Sequence, residues 1–214
     1  MNSNTKRLTT LAMLAALAIV AMLTIRIPMF AEFLTYDPKD VIIIIGGFLF
    51  GPLAVLPIIA VVALIEMTIS GTAHWGLLMN ISSSAAFVIP AVLIYRRWRN
   101  LPSAVIGLII GAITVTGVMM LLNYLIVPLY TGAPRAFVAT LLVPVILPFN
   151  LVKSALNGAI VMMMYKSVSM ALTKARLHQP TSERSASRIN KWVLIISALV
   201  ILALIIIILT KGAV

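Results

Sequence analysis

Residues 8–25 read LTTLAMLAALAIVAMLTI, an apolar run that contains no charged side chain. About 20 apolar residues in a helix are enough to cross the hydrocarbon core of a bilayer. The run is too long for the apolar region of a signal peptide, and no clear small-residue cleavage site follows it. We therefore predict a retained first spanning helix over residues 8–27, which Pro28 ends.

The rest of the 214-residue chain has the same character, since 62% of it is hydrophobic and 10% is charged. Its mean hydropathy is +1.15, whereas a soluble domain carries about 25% charged residues. This composition excludes a soluble domain and leaves no room for a large catalytic domain outside the membrane. The chain contains no cysteine, which excludes disulfides, thiolate catalysis and Cys-ligated metals.

Further apolar runs predict further spanning helices, because lipid offers the backbone no hydrogen bonds and a helix satisfies them internally. These runs cover residues 40–50, 53–70, 76–95, 104–127, 138–168 and 192–210. The expected fold is an all-α integral membrane protein in three parts. A six-helix domain occupies residues 1–172, a basic cytoplasmic linker residues 173–191, and an additional transmembrane helix residues 192–214.

The chain has a net charge of +11. The positions of its positive charges indicate how the chain is oriented in the membrane. With the N-terminus inside, 11 of the 16 Lys and Arg residues fall on the cytoplasmic side, as the positive-inside rule requires. They are Lys6, Arg7, Arg96, Arg97, Arg99, Lys166, Lys174, Arg176, Arg184, Arg188 and Lys191. Residues 28–39 then form a loop outside the cell.

Ionisable residues within predicted spans are functional candidates by default, and the two good cases are Glu66 and Lys153. Glu66 is near the outer end of its span, so solvation by the outer loop is an equally good explanation. Lys153 shares one helix face with Asn150 and Asn157, at spacings of three and four residues. This face points either into a cavity or towards another helix, where its polar groups would bind the helices together.

Asn80 and Asn123 also lie in the outer halves of their spans. Together with Asn150 and Lys153 they predict an outward-facing cavity, and a few polar groups among apolar side chains suit a small organic ligand. The aromatic residues nearby belong either to this cavity or to the interfacial aromatic belt. They are Phe33, Tyr36, Trp75, Tyr124, Tyr130 and Phe149.

Sequence motifs of enzymes are missing from the chain. It has no Walker A motif, no H-E-x-x-H and no G-x-S-x-G, and its two histidines, His74 and His178, are far apart. We therefore expect no catalytic residue, no metal site, no bound cofactor and no ATPase activity in this chain.

The alanine-rich first span contains Ala12, Ala15 and Ala16, and small residues let a second helix approach closely. Either another helix of this chain or another membrane subunit could pack on this surface.

Four segments resemble the substrate-binding S component of energy-coupling factor (ECF) vitamin transporters, over about residues 6–170. Two of them are LAMLAALAIVAML (11–23) and LTYDPKDVIIIIGGFLFGPLAV (34–55). The other two, LLNYLIVPLY (121–130) and ILPFNLVKSALNG (146–158), are similar to the riboflavin branch and are the most specific. The last span is a departure, since the family core has six helices.

The resemblance implies high-affinity binding of riboflavin, which is the transported ligand and not a cofactor, by a multi-pass protein of a bacterial cell membrane. It assigns flavin contacts to Asn123, Asn150 and Lys153, and it places Tyr36 and Asp37 in a loop that covers the site. Asn80 and Tyr124 complete the predicted set. The implied partners are a membrane coupling subunit, which contacts the alanine surface, and two ATPase subunits, without nucleic acid.

Three alternatives remain open from the sequence. The chain could be an S component for another vitamin, such as pantothenate, folate or a pyridoxine-type compound. It could instead be an ion-coupled secondary carrier that relies on Glu66, or a membrane scaffold without a small ligand.

Overall fold

The computed structural model describes residues 3–70 and 73–174, together with the separate positions 195, 197, 198, 201 and 202. Nearly all of the predicted linker and most of the predicted C-terminal helix lie outside these residues.

The described residues form a helical bundle with one small β-hairpin, and the predicted helical membrane fold is confirmed. The helices are α1 (Ser3–Thr24), α2 (Lys39–Phe50), α3 (Pro52–Ser70), α4 (Ala73–Trp98), α5 (Leu101–Thr131), α6 (Arg135–Leu141) and α7 (Leu147–Lys174). A π-helical segment, Leu142–Ile146, joins α6 to α7 without a break. Among the described residues, five helical stretches are long and apolar enough to span a membrane, and α2 is shorter, with 12 residues.

The segment predicted as a loop at residues 28–39 contains a β-hairpin. Strand β1 (Ile27–Met29) pairs antiparallel with β2 (Ala31–Tyr36), with Ile27 opposite Tyr36. Phe30 makes the turn with a φ of 62°, in the left-handed region that non-glycine residues seldom adopt. The sequence shows no Asn-Gly or Asp-Gly turn here, which is the usual short-range signal of a hairpin.

Short connections reverse the chain direction from helix to helix. Only Gly51, with a φ of 98°, separates α2 from α3, and only residues 99 and 100 separate α4 from α5. One end of the bundle, the hairpin end, therefore carries the hairpin, the start of α2 and the connection from α5 to α6. The opposite end carries the start of α1 and the arginines at the end of α4.

Helix α2 lies in the centre of the bundle, and nine of its 12 residues are buried. A helix that is apolar on all sides is expected in such a position. Helices α4 and α5 approach closely through Gly107 and Gly111. A Cβ atom at Gly111 would lie 2.5 Å from the Phe87 carbonyl oxygen, so only glycine permits this approach.

Candidate functional site

Five ionisable side chains converge at the hairpin end of the bundle. Asp37 follows strand β2, Lys39 and Asp40 begin α2, Glu66 lies in the last turns of α3, and Lys153 lies in α7. Asp37, Lys39, Asp40 and Glu66 are each less than 9% exposed, and the Lys153 side chain is 14% exposed. Charges buried this deeply persist only when they are paired.

The charges alternate in sign along a continuous chain of contacts, which we term the ion chain: Glu66, Lys39, Asp37 and Lys153. Lys153 Nζ donates to Asp37 Oδ2 at 2.8 Å. Lys39 Nζ lies 3.8 Å from Asp37 Oδ1 and donates to Glu66 Oε2. The Lys39 backbone N–H also donates to Asp37 Oδ1 at 3.3 Å. The ion chain thus connects α3, the start of α2, the residue after the hairpin, and α7.

Asp40 adds a connection to α4. Ser84 Oγ donates to Asp40 Oδ1 at 2.6 Å, and both residues are buried. Four helices therefore contribute polar side chains to the same end of the bundle.

Asp37 remains a carboxylate at neutral pH. Burial alone would raise its pKa, but the ammonium groups of Lys153 and Lys39 more than offset this effect and hold the pKa below its usual range. Since the folded-state pKa is lowered, the stabilisation from this group is complete above the ordinary carboxyl pKa. It is lost only as the pH falls through the lowered value.

Tyr36 forms an apolar contact surface beside Asp37. It is buried against Met29, Phe149 and Val152, and its hydroxyl has no hydrogen-bond partner among the described residues. Burial, followed by the charge of Asp37, raises the pKa of Tyr36, so the hydroxyl stays protonated. The hydroxyl is therefore a neutral donor and acceptor.

Asn123 and Asn150 are both buried, and each turns its amide nitrogen towards its own helix. Asn123 Nδ2 donates to the Met119 carbonyl at 2.7 Å, and Asn150 Nδ2 donates to the Ile146 carbonyl at 2.8 Å. Ile146 ends the π segment, which contains Pro144 and precedes Pro148. Since proline has no N–H to donate, the regular backbone hydrogen bonds of the helix are interrupted here. The Asn150 side chain supplies an additional donor to this segment.

The remaining predicted ligand contacts lie in different environments. Asn80 is half-buried in α4, one turn before Ser84. Tyr124 is 37% exposed, whereas its neighbour Asn123 is buried. Lys153 Nζ lies 5.9 Å from the centroid of the Phe149 ring, within cation–π distance. Of the predicted set, Asp37 and Lys153 are in direct contact.

Sequence reasoning did not anticipate the roles of Lys39, Asp40 and Ser84. It took Lys39 as a cation of the outer loop, and it left Glu66 either solvated or functional. Glu66 is 7% exposed and is paired with Lys39. The sequence did contain a signal for this ion pair. Lys39 and Glu66 have opposite charges, and they lie at the same end of two consecutive antiparallel helices.

The alanine surface of α1 divides into two sides. Ala15 packs against the hydrophobic core, whereas Ala12 and Ala16 are exposed. Met13 and Leu17 beside them are 61% and 55% exposed. The described residues thus leave the side with Ala12 and Ala16 uncovered.

Asn157 lies one turn beyond Lys153 on the same face of α7. It is 1% exposed, and neither polar atom of its side chain has a hydrogen-bond partner in the part of the chain that the structure describes. A buried amide without partners is costly, particularly in an apolar bundle.

The family model described as ECF transporter, substrate-specific component, matches residues 6–165. The chain is 31% identical over 176 residues to the riboflavin transporter RibU of Staphylococcus aureus (strain TCH60), covering 79% of this chain and 93% of the relative. It is 29% identical over 159 residues to the riboflavin transporter FmnP of Bacillus subtilis (strain 168), covering 69% and 84%.

A solved structure has the same fold. It is the structure of the S component of a bacterial ECF transporter, and it matches this chain with a TM-score of 0.68 and 31% identity. The match covers 79% of this chain and 98% of that chain.

The environment of Asn157 predicts that Asn157→Leu stabilises the ligand-free protein. Leucine has nearly the same shape and removes two unsatisfied polar atoms, so we expect a gain of about 1–2 kcal/mol in the free energy of unfolding. Thermal unfolding in detergent measures this change. The matched control is Asn123→Leu, which loses a hydrogen bond to Met119 and should not stabilise. A lower melting temperature for Asn157→Leu would contradict the prediction.

Proposed function

Because the chain belongs to the family of substrate-specific components of ECF transporters, we propose that it binds riboflavin at the hairpin end for uptake into the cell. Both curated relatives described above are riboflavin transporters. The observation that carries the proposal is the ion pair between Asp37 and Lys153, 116 residues apart in sequence. It joins the segment after the hairpin to α7 beside Asn150.

The polar groups at this end of the bundle suit the pyrimidine portion of a flavin. Lys153 has three N–H donors, and one of them is directed to Asp37. The others can donate to flavin carbonyl oxygens. Asn123 and Asn150 each donate from the amide nitrogen to a carbonyl of their own helix. Their side-chain carbonyl oxygens can accept a hydrogen bond from the imide N–H of a flavin.

The apolar groups suit the fused rings of the ligand. Tyr36, Phe149 and Val152 pack together next to the ion chain. Aromatic side chains bind planar ring systems through offset or edge-to-face contacts. In this proposal the hairpin and Asp37 form a lid, and Lys153 both holds the lid and contacts the ligand.

The proposal predicts saturable riboflavin binding by the purified chain, measured by quenching of flavin fluorescence. Lys153→Met should weaken binding at least about tenfold, because it removes a ligand donor and leaves Asp37 without its closest cation. The control is Lys6→Met at the opposite end of the bundle. If the unmodified chain binds no riboflavin but binds pantothenate, folate or a pyridoxine-type compound, the fold assignment stands and the ligand changes.

We further propose that the N-terminus is cytoplasmic and that the hairpin end faces outward. Lys6 and Arg7 begin α1, and Arg96, Arg97 and Arg99 lie at the same end of the bundle. The positive-inside rule supports this orientation.

Single cysteines test the orientation directly, because the chain contains none of its own. Arg135→Cys at the hairpin end should react with a membrane-impermeant maleimide in intact cells. Arg97→Cys at the opposite end should react only after the membrane is permeabilised. Labelling in the reverse order would refute the proposed orientation.

The proposed partners are the membrane coupling subunit and the two ATPase subunits of an ECF module. Exposed alanines at Ala12 and Ala16 support a docking surface on α1, since small residues allow helices to approach closely. The chain has no Walker A motif, so the proposed uptake depends on ATP hydrolysis by these partners.

Ala12→Leu with Ala16→Leu tests this surface. The double variant should bind riboflavin normally, yet it should lose co-purification with the coupling subunit and lose riboflavin uptake. Ala139→Leu, at an exposed position of α6, is the matched control and should behave like the unmodified protein. Unchanged co-purification of the α1 variant would place the docking surface elsewhere.

A further inference from the structure

Lys39 at the start of α2 and Glu66 in α3 form a buried ion pair. The exposed fractions of their side chains are 4% and 9%. Such a pair contributes little net stability compared with apolar residues of similar size, because desolvation of the charges offsets their attraction. Its presence in an apolar bundle therefore calls for an explanation besides stability.

The position of Lys39 relative to Asp37 supplies that explanation. Lys39 approaches Asp37 Oδ1 with both its ammonium group, at 3.8 Å, and its backbone N–H, at 3.3 Å. Lys153 donates to the other oxygen, Oδ2, at 2.8 Å. Each carboxylate oxygen thus has its own lysine, and the carboxylate is held in one orientation.

Glu66 determines which lysine contacts which oxygen. It accepts a hydrogen bond from the Lys39 ammonium group, which keeps that group on the α3 side of Asp37. Without Glu66, the Lys39 ammonium would be attracted only to Asp37 and Asp40, and it would compete with Lys153 for Asp37. Without Lys39, Lys153 would be the single ammonium group facing Asp37, Asp40 and Glu66 among the five ionisable residues of the site.

We propose that Lys39 and Glu66 are positioning residues for the riboflavin site, which act by fixing the Asp37 carboxylate and thereby the contact between the lid and Lys153. This inference rests on the proposed riboflavin binding and adds two residues on α2 and α3 that are not themselves ligand contacts. It assigns the ion pair a role in affinity that is separate from its role in folding.

Removing the pair in two ways separates these roles. Lys39→Met alone leaves Glu66 buried without a cation, so both the melting temperature and the affinity should fall. The double variant Lys39→Met with Glu66→Met replaces the ion pair by two apolar side chains of similar length. Its melting temperature should return to near that of the unmodified protein, because no buried charge of this pair remains unpaired.

Riboflavin affinity is the deciding measurement. In the double variant we expect the dissociation constant to remain roughly tenfold higher than in the unmodified protein, since Asp37 Oδ1 has lost its cation. A pair with only a structural role would recover affinity together with stability. Lys39→Gln with Glu66→Gln is a second neutral pair for the same comparison, and Lys6→Met controls for the loss of one ammonium group.

The outcomes distinguish this inference from the proposed function. Full riboflavin affinity in a neutral double variant with a recovered melting temperature would overturn the positioning role and leave the riboflavin site intact. Lack of riboflavin binding by the unmodified protein would overturn the proposed function, and the positioning role with it. Weak binding by both neutral pairs at a recovered melting temperature would establish the positioning role.

Discussion

The ion pair between Asp37 and Lys153 determines the arrangement of the hairpin end. Neither charge is stable alone inside an apolar bundle, so each requires the other. The contact brings the segment after the hairpin against α7. It thereby places Tyr36 on Phe149 and Val152. The position of the hairpin, the apolar contact surface and the polar face of α7 therefore depend on one interaction between residues distant in sequence.

The central position of α2 makes the rest of the network possible. A Cβ atom at Gly47 would lie 2.3 Å from a side-chain methyl of Val92, so α2 and α4 are in close contact. This proximity lets Asp40 accept a hydrogen bond from Ser84. Because α2 is short and begins soon after the hairpin, its first turn brings Lys39 to α3 while Asp37 reaches α7. The polar contacts at the start of α2 thus depend on the apolar packing that holds α2 in the centre of the bundle.

The spans could be predicted from hydropathy because the bilayer imposes a minimum length on each apolar run. The hairpin could not, since its turn at Phe30 lacks the usual turn residues. The pairing of Lys39 with Glu66 could have been predicted from helix geometry. Lys39 precedes Gly51 by 12 residues and Glu66 follows Pro52 by 14, which corresponds to similar depths of about 18 and 21 Å in two antiparallel helices.

Several site residues could be identified from resemblance to a family, but their interactions could not. The sequence indicates that Asn123, Asn150 and Lys153 are polar groups in spans, whereas side-chain rotamers decide which partners they reach. Both asparagines donate to carbonyls of their own helices. Glu66 is paired with Lys39, which accounts for its position without ion coupling and so weakens the case for a secondary carrier.

The charges of the site also discriminate between ligands. Asp37, Asp40 and Glu66 contribute three carboxyl groups, against the two ammonium groups of Lys39 and Lys153. Pantothenate and folate carry carboxylates of their own, and a further buried negative charge beside three carboxyl groups would be unfavourable. Riboflavin carries no net charge at neutral pH and offers carbonyl oxygens to Lys153. A pyridoxine-type compound is also neutral, but its single ring would cover less of the aromatic surface formed by Tyr36 and Phe149. The balance of charge and apolar area therefore favours a neutral ligand with fused rings.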